Sequence, residues 1–361
     1  MPFAQADIAV VGGGPAGAAA AATLRTHAPS LRVVLLDGAR QDRAKPGEML
    51  PAVAQSLLRQ IGAWPAFLAA DFLPNRGIVS AWDDEAPDER HSVFSAQGAG
   101  WQLDRQRFDA LLSETAAAAG AAVHRGCAVR SAMRIGNGWR LVTCDGDVEA
   151  RMVIWATGRS WRLARTFGAR LTVHDQLAAY LRFFDAAPGD NRMTIEARPE
   201  GWWYSVDLPG DTRVVACLAD PDSGLRDPDA WYRALRGTRL IAPLLPCSAH
   251  ETTALVAPAG TVTIDPAIGD RWVAAGDTLF AADPLSSRGI VHALRSGILA
   301  AYAASDVLDG HGDRARLRYA TIVAGARTGY LPAVRAHYAA APWTTPFWQR
   351  RTAVPSQQVM R

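Results

Sequence analysis

The segment Ile8-Ala9-Val10-Val11-Gly12-Gly13-Gly14-Pro15-Ala16-Gly17 decides the fold of this 361-residue chain. It joins a short apolar run, typical of a buried parallel strand, to a glycine-rich turn. The alanine-rich stretch 18–24 that follows is a strong helix former. A second apolar run, 33–36, ends at Asp37, which stands 20 positions after Gly17. Together these segments predict a β-α-β unit that carries the motif G-x-G-x-x-G.

Each glycine of this motif has its own physical reason. Gly12 permits the tight turn, Gly14 lets the backbone approach a pyrophosphate, and Gly17 lets the helix pack on the strand. The free N–H groups and partial positive charge of the helix N-terminus favour that pyrophosphate, and the Asp37 carboxylate suits ribose hydroxyls. The unit therefore predicts a dinucleotide site. Because NAD and FAD enzymes share it, the rest of the chain must decide the cofactor.

The remaining periodicity predicts an α/β fold with an α+β insertion. We expect a Rossmann-like domain with a parallel sheet, interleaved with a β-sheet substrate domain and followed by a C-terminal helical tail. The predicted boundaries are 1–75, 101–168 and 264–308 for the first domain, 76–100 and 169–263 for the second, and 309–361 for the tail. Within them we predict helices over 105–119 and 290–308, a helix near 231–235, and strands over 122–124, 139–143, 152–155, 178–184, 193–198, 202–208, 213–219 and 272–277.

Composition and charge exclude several classes of protein. The net charge of +3 is too small and too scattered for nucleic-acid binding, and no 18-residue uncharged apolar run predicts a membrane span. The N-terminus lacks the features of a secretory signal, so we expect a cytoplasmic protein. The cysteines 127, 144, 217 and 247 fit no metal or redox spacing. We expect reduced, mostly buried thiols and no metal site.

Four separated motifs resemble those of FAD enzymes with the p-hydroxybenzoate hydroxylase fold. They are the glycine motif with Asp37, Leu103-Asp104-Arg105, Ala156-Thr157-Gly158, and Gly276-Asp277 with Asp283-Pro284. The resemblance implies that Arg105 supports the FAD phosphates and that Asp277 binds ribityl and pyrophosphate groups. It also implies that the loop 285–290 supplies N–H groups to the flavin ring. The predicted cofactor-binding residues are Gly12, Gly14, Pro15, Ala16, Gly17, Asp37, Arg105, Ala156, Thr157, Gly158, Gly276, Asp277, Pro284, Ser287, Gly289 and Ile290.

Narrower features resemble one subgroup of this fold. Gly47-Glu48-Met49-Leu50-Pro51 is similar to the G-E-S-L-P segment of flavin-dependent halogenases and of enzymes like geranylgeranyl reductase. Aromatic segments such as Gly201-Trp202-Trp203-Tyr204-Ser205 resemble the flavoprotein maturases of lysine oxidase and quinohemoprotein amine dehydrogenase. The resemblance implies a monooxygenase that hydroxylates an electron-rich aromatic group through a flavin C4a-hydroperoxide, with O₂ as co-substrate. The substrate would be a small aromatic molecule or a tryptophan of a peptide or partner protein. With a partner protein as substrate, the activity would serve the maturation of that protein's cofactor.

Three other functions stay open: a reductase or dehydrogenase of the geranylgeranyl reductase type, a non-catalytic flavin-binding partner, and a halogenase. Halogenases need a lysine well downstream of the G-E segment, and no lysine follows Lys45. No second G-x-G-x-x-G predicts a nicotinamide domain, so the electrons would come from transiently bound NAD(P)H or from a separate flavin reductase. Trp155 precedes Ala-Thr-Gly where relatives often have Asp, which places one flavin contact in question.

Four residues are candidates for the catalytic site. We expect Glu48 and Arg288 to face the flavin ring, although Glu48 could instead stabilise a helix N-terminus and Arg288 could lie on the surface. Strand alternation places Trp202 and Tyr204 on one face, over the flavin or in the core. Two histidines, His91 and His292, are more typical of structural residues than of catalytic bases. The tail with Phe347, Trp348, Arg350 and Arg351 could dock a partner or cover the core.

Overall fold

A computed structural model describes residues 4–38, 45–84, 86–96, 98–187, 189–246, 249–353 and 358–359. Its strands are, in chain order, β1 (Ala4–Val11), β2 (Val33–Asp37), β3 (Met49–Leu50), β4 (Leu73–Asn75), β5 (Gly77–Ala81), β6 (Asp88–His91), β7 (Gly100–Gln102), β8 (Ala122–Arg125), β9 (Ser131–Ile135), β10 (Gly138–Val142), β11 (Asp147–Trp155), β12 (Arg170–Val173), β13 (Ala178–Asp185), β14 (Arg192–Arg198), β15 (Gly201–Leu208), β16 (Thr212–Ala219), β17 (His250–Pro258), β18 (Val262–Asp265), β19 (Ile268–Gly269), β20 (Trp272–Ala274), β21 (Phe280–Ala281) and β22 (Gln358–Val359).

The helices connect these strands and form the C-terminal segment. The α-helices are α1 (Pro15–His27), α2 (Ala54–Gln60), α3 (Trp64–Ala69), α4 (Arg105–Ala118), α5 (Pro228–Arg236), α6 (Gly289–Leu308), α7 (Gly312–Arg327), α8 (Tyr330–Ala340) and α9 (Pro346–Thr352). Short 3₁₀ turns span Ser92–Phe94, Ala242–Leu244, Gly276–Thr278 and Pro284–Ser286.

The predicted β-α-β unit forms the centre of the first sheet. Strand β1 pairs in parallel with β2 and β11, β2 pairs with β8, and β11 pairs with β20. Ile8, Ala9, Val10 and Val11 of β1 are buried, as expected for a central strand of a parallel sheet. Helix α6 crosses α1 closely enough that a Cβ on Gly297 would lie 2.1 Å from the Ala16 carbonyl oxygen. The predicted α/β fold class is therefore confirmed.

The second large sheet has the order β17-β13-β16-β15-β14-β5-β6 and is antiparallel apart from the parallel pair β14–β5. Its central strand β15 is buried on both faces. Trp202 and Tyr204 belong to one apolar cluster, whereas Trp203 belongs to the opposite cluster and meets Trp231 of α5 with ring centroids 5.2 Å apart. The predicted alternation along this strand is confirmed. The domain boundaries given above stay a prediction.

The C-terminal tail covers the core. Phe347 and Trp348 are buried in the cluster that contains Trp202. Arg351 is also buried and forms an ion pair with Asp220 at 2.8 Å, while Arg350 is the exposed member of the group. Of the two alternatives for this tail, the packing supports the structural one.

Trp155 is a core residue. Its ring is fully buried, stacks on Phe167 at a centroid distance of 5.0 Å, and meets Trp139 edge-on at 6.0 Å. The side chain at this position therefore contributes to the packing of the core. No helix of the described residues is both long and apolar enough to cross a membrane.

Candidate active site

A cavity of about 640 Å³ lies where the parallel strands of the first sheet end and the second sheet begins. This is the edge at which open α/β sheets bind ligands, and the volume is within the usual range for a ligand site. Its walls come from the loops after β1, β2, β11 and β20, the segment before β3, and residues of β13–β17. Of the predicted cofactor-binding residues, those that line the cavity are Gly12, Gly14, Pro15, Ala16, Asp37, Arg105, Ala156, Thr157, Gly158, Gly276, Asp277, Pro284, Ser287, Gly289 and Ile290.

The glycines of the motif leave room where a cofactor needs it. A Cβ on Gly14 would meet no atom within 4 Å, whereas one on Gly12 would lie 2.1 Å from the Ala156 carbonyl oxygen. Gly17 does not line the cavity; its Cβ would collide with the Gly12 carbonyl oxygen at 1.8 Å, which fits its predicted packing role. No side chain caps the start of α1, so its first N–H groups are available to an anion.

Two carboxylates lie at separate ends of this motif region. Asp37 ends β2 beside the glycine turn, since a Cβ on Gly13 would be 2.5 Å from its Cγ. Asp277 is half-buried and faces Arg159, whose Nε donates to its Oδ2 at 3.1 Å. Burial raises the pKa of Asp277, and the Arg159 charge opposes that shift. Asp37 and Asp277 could therefore accept hydrogen bonds from the hydroxyl groups on either side of a pyrophosphate bound at the α1 N-terminus.

Arg105 and Lys45 share one carboxylate. Arg105 Nη2 lies 3.2 Å from Asp109 Oδ1, and Lys45 Nζ lies 2.8 Å from Asp109 Oδ2. Arg105 also donates to the carbonyl oxygen of Pro46 at 2.5 Å, so the guanidinium is fixed against the segment before Glu48. Both cations line the cavity, which gives it positive charge next to the helix N-terminus.

The turn that begins at Asp283 closes another wall of the cavity. Asp283 Oδ1 accepts the Leu285 N–H at 2.9 Å, and Ser287 has a left-handed φ of 49°. The N–H groups of Leu285, Ser286 and Ser287 bond within the turn, so donors to a flavin ring would have to come from the start of α6. Burial, together with the neighbouring Asp175, raises the pKa of Asp283 to about 6.

The most unusual group in the cavity is a buried carboxyl. Glu48 is 3% exposed, and its Oε2 accepts the Tyr204 hydroxyl at 3.0 Å. Among the described residues, its Oε1 has no hydrogen-bond partner. Burial raises the pKa of Glu48, and burial beside this carboxyl raises the pKa of Tyr204. Glu48 precedes a strand rather than a helix, so it does not stabilise a helix N-terminus.

Arg288 and the two candidate histidines do not line the cavity that contains this carboxyl. Arg288 is exposed at the start of α6 and does not line the cavity, so the geometry does not bring it to Glu48. His91 is exposed on β6 and lies 3.5 Å from Glu89. His292 meets Phe280 edge-on at 5.4 Å, outside the cavity lining, and burial lowers its pKa to about 4. Neither histidine is placed as a base for this site.

The described cysteines agree with the expectation that most of the thiols are buried, and one of them is the exception. Cys127 and Cys217 are buried free thiols, whereas Cys144 is exposed. Cys144, Cys127 and Asp145 lie with their potential ligand atoms within 4.8 Å of one another, because a hairpin turn brings Cys144 against the segment after β8. The linear spacing of these residues gave no sign of this proximity. Cys247 lies outside the described residues.

Two further residues of the site escaped the sequence reasoning. Arg159 follows the Ala-Thr-Gly motif directly and bridges Asp277 to the carbonyl oxygens of Gly260 and Ala282 at 2.6 and 2.7 Å. Its position directly after the Ala-Thr-Gly motif was the one sequence feature that could have identified Arg159 as a site residue. Tyr338 donates to Asp283 Oδ2 at 2.8 Å from a helix far along the chain, and no local pattern marks it.

The fold and the site together define a dinucleotide-binding flavoprotein, because the glycine turn, the carboxylates and the cations fit FAD along one cavity. The comparison with known families agrees: residues 5–197 match the FAD binding domain family. The chain belongs to this family of FAD-dependent oxidoreductases.

Individual relatives narrow the comparison. The chain is 31% identical to the putative FAD-dependent oxidoreductase LodB of Marinomonas mediterranea, over 98% of each protein. It is 26% identical to the solved structure of the peptidyl tryptophan dihydroxylase QhpG, which is essential for tryptophylquinone cofactor biogenesis, with a TM-score of 0.79 over 98% of this chain and 80% of that one. The myxobacterial chondrochloren halogenase CndH shares the fold at 21% identity, with a TM-score of 0.87 over 98% and 87%.

Proposed function

We propose that this flavoprotein is a monooxygenase that hydroxylates an electron-rich aromatic ring, and that the ring is a tryptophan side chain of a peptide or partner protein. The observation that carries the proposal is the buried Glu48–Tyr204 pair: both residues line the cavity, and among the described residues Glu48 Oε1 has no hydrogen-bond partner. The similarity to QhpG, a peptidyl tryptophan dihydroxylase, supports the choice of substrate class.

Bound FAD supplies the oxidising chemistry, with O₂ as co-substrate and with electrons from NAD(P)H or a separate flavin reductase. Gly14, the start of α1 and Arg105 would hold its phosphates, while Asp37 and Asp277 would hold its hydroxyl groups. The chain itself provides binding, orientation and the exclusion of water.

The substrate wall is apolar and comes from the second sheet. Met193, Trp202, Leu218 and Ala257 line the cavity on the side of Tyr204. An aromatic ring bound there replaces water against an apolar surface, which favours binding of the ring and keeps bulk water from the reacting atoms. The polar exception on this wall is the Glu48–Tyr204 pair.

Glu48 is placed to hold and move a proton. Hydroxylation of an aromatic ring needs the ring hydrogen to leave as a proton and one oxygen atom of O₂ to leave as water. Burial raises the pKa of Glu48 and so favours its protonated form, and Oε1, which has no partner among the described residues, is the atom at which this carboxyl would hold the proton. Tyr204 keeps the other oxygen engaged, which fixes the direction of Oε1.

The features of this chain do not favour halogenation. Lys45 is the only lysine, and its Nζ forms an ion pair with Asp109 at 2.8 Å. Lys45 is therefore paired with a carboxylate near Arg105, where the phosphates of FAD would bind. From there its amine is poorly placed to direct an oxidised halide to the aromatic wall at Trp202 and Tyr204.

The experiment is oxygen uptake by the FAD-loaded protein with NADPH, or with NADH and a flavin reductase. The probes are N-acetyl-tryptophan amide and a short tryptophan-containing peptide. We expect O₂ consumption that matches a product heavier by one or two oxygen atoms, with greater turnover on the peptide. A product that gains two hydrogens without O₂ would show a reductase instead. Glu48→Gln should reduce product formation while FAD stays bound, and Arg288→Gln serves as the exposed control.

A further inference from the structure

Helix α8, which precedes the last helix of the C-terminal segment, contacts the site at two points although it carries none of the FAD motifs. Tyr330, at its start, accepts the Asp283 backbone N–H at 2.6 Å. Tyr338, two turns later, donates its hydroxyl hydrogen to Asp283 Oδ2 at 2.8 Å. Asp283 therefore bonds to α8 through both its backbone and its side chain.

The same Tyr338 hydroxyl reaches the substrate wall. Trp202 Nε1 donates to the Tyr338 oxygen at 3.1 Å, so a continuous chain of hydrogen bonds runs from Trp202 through Tyr338 to Asp283. All three residues are at most 1% exposed. A fully satisfied buried network of this kind fixes the positions of its members, because any displaced polar group would lose its partner without gaining water.

The two ends of this network have different surroundings. Trp202 lines the cavity from the second sheet, and Asp283 lines it from the turn that leads into α6. Asp283 also caps that turn by accepting the Leu285 N–H at 2.9 Å. A shift of Tyr338 would therefore move the aromatic wall and the flavin-side turn together.

We propose that Tyr338 is a positioning residue that couples the flavin-side turn at Asp283 to the substrate wall at Trp202, and that α8 thereby sets the spacing between bound FAD and substrate. The proposal requires FAD binding but no particular substrate, so it holds whether or not the protein hydroxylates tryptophan. It also gives the C-terminal segment a role in the site that the cofactor motifs do not explain.

The charged state of Asp283 gives this coupling a measurable readout. Burial and the nearby Asp175 raise the pKa of the Asp283 carboxyl, whereas Arg351 and the Tyr338 hydroxyl lower it. Tyr330 contacts the Asp283 backbone. Its pKa is about 6. As this carboxyl ionises beside the cavity, its negative charge disfavours adding electrons to the flavin, so the midpoint potential should fall more steeply with pH.

The test is the midpoint potential of bound FAD against pH in the holoprotein and in three variants. We expect a break near pH 6 in the natural protein and no break in Asp283→Asn. In Tyr338→Phe, the break should move up by roughly one to two pH units, because the ionised carboxylate loses a charge-assisted hydrogen bond. With tryptophan peptides, this variant should also raise KM more than it lowers kcat, because the wall loses its anchor.

Tyr319→Phe is the matched control. Tyr319 is as deeply buried as Tyr338 and donates to the Ala274 carbonyl oxygen at 2.6 Å, but it takes no part in the network. Both tyrosine variants should lower the melting temperature, whereas only Tyr338→Phe should move the break. A break that stays in place in Tyr338→Phe, or that persists in Asp283→Asn, overturns the proposal. Loss of tryptophan hydroxylation in all assays would contradict the proposed function and leave this result unaffected.

Discussion

Gly14 and Gly17 stand three residues apart in one motif, yet a side chain would have different consequences at each. At Gly14 the backbone is extended, with φ −70° and ψ −176°, and a Cβ would point into open space. At Gly17 a Cβ would overlap the Gly12 carbonyl oxygen. The first glycine therefore reserves space for the ligand, and the second makes the fold possible.

Gly14→Val should separate cofactor binding from folding. Valine tolerates the extended backbone at this position, so the apoprotein should keep its melting temperature. Its side chain would occupy the space for the pyrophosphate and reduce FAD affinity by at least about 100-fold, or roughly 3 kcal/mol. Titration with FAD and thermal unfolding of the apoprotein measure the two effects. Gly17→Val, in contrast, should impair folding itself; normal FAD affinity in Gly14→Val would refute the assignment of this loop.

Glu48 should make the protein less stable as the pH rises. Because its folded pKa lies above its unfolded pKa, the favourable protonated state is fully present at low pH and is lost as the pH rises through the folded value. Glu48→Gln keeps the Tyr204 contact and removes the buried charge. The variant should therefore melt higher than the natural apoprotein at pH 8, and the difference should vanish toward pH 4. Equal melting temperatures at pH 8 would contradict the raised pKa.

At the scale of elements, the crossing of α1 and α6 joins the phosphate side to the flavin side. Gly297 lets α6 approach the first turn of α1, where Ala16 lines the cavity. The Gly276 N–H, which starts the adjacent turn, donates to Ser296 Oγ at 2.8 Å, so α6 also holds the segment that carries Asp277. The packing of one helix thus aligns two motifs that lie 260 residues apart.

Gly297→Ala should disturb this crossing. The new methyl group would lie 2.1 Å from the Ala16 carbonyl oxygen, and overpacking of this kind costs about 1–3 kcal/mol. Gly325→Ala in α7 is the control, because a Cβ there meets no atom within 4 Å and alanine favours a helix by up to about 1 kcal/mol. Thermal unfolding should show a lower melting temperature for the first variant and an equal or higher one for the second. The same melting temperature in both would show that α6 can shift freely.

The elements also show what the sequence can predict. The β-α-β unit, the strands β13–β16 of the second sheet and α6 follow from local periodicity, and their observed bounds agree with the prediction to within a few residues. The other strands of that sheet, β5, β6 and β17, were not predicted individually. The partners of Glu48 and Asp283 are 156 and 55 residues away, so their pairing depends on how sheets and helices pack. Local patterns identified Glu48 and Tyr204 separately; only the fold brings them to 3.0 Å.

At the scale of the whole molecule, the proposal of hydroxylation rather than halogenation depends on one residue type. The chain has 38 basic residues, and Lys45 is the only lysine among them. CndH shows that a halogenase can share nearly the whole fold, so architecture alone does not exclude halogenation. The position of Lys45, paired with Asp109 beside Arg105, is therefore the feature on which the proposal relies against halogenation.

Lys45→Arg tests this difference directly. Arginine can keep the ion pair with Asp109 but cannot form the adduct that a lysine amine forms with an oxidised halide. We expect oxygen uptake and hydroxylated product within about threefold of the natural protein, since arginine keeps both the positive charge and a partner for Asp109. Added bromide should give no brominated product with either protein. Bromination by the natural protein that disappears in Lys45→Arg would instead assign the site to halogenation, because no other lysine of this chain could replace the amine.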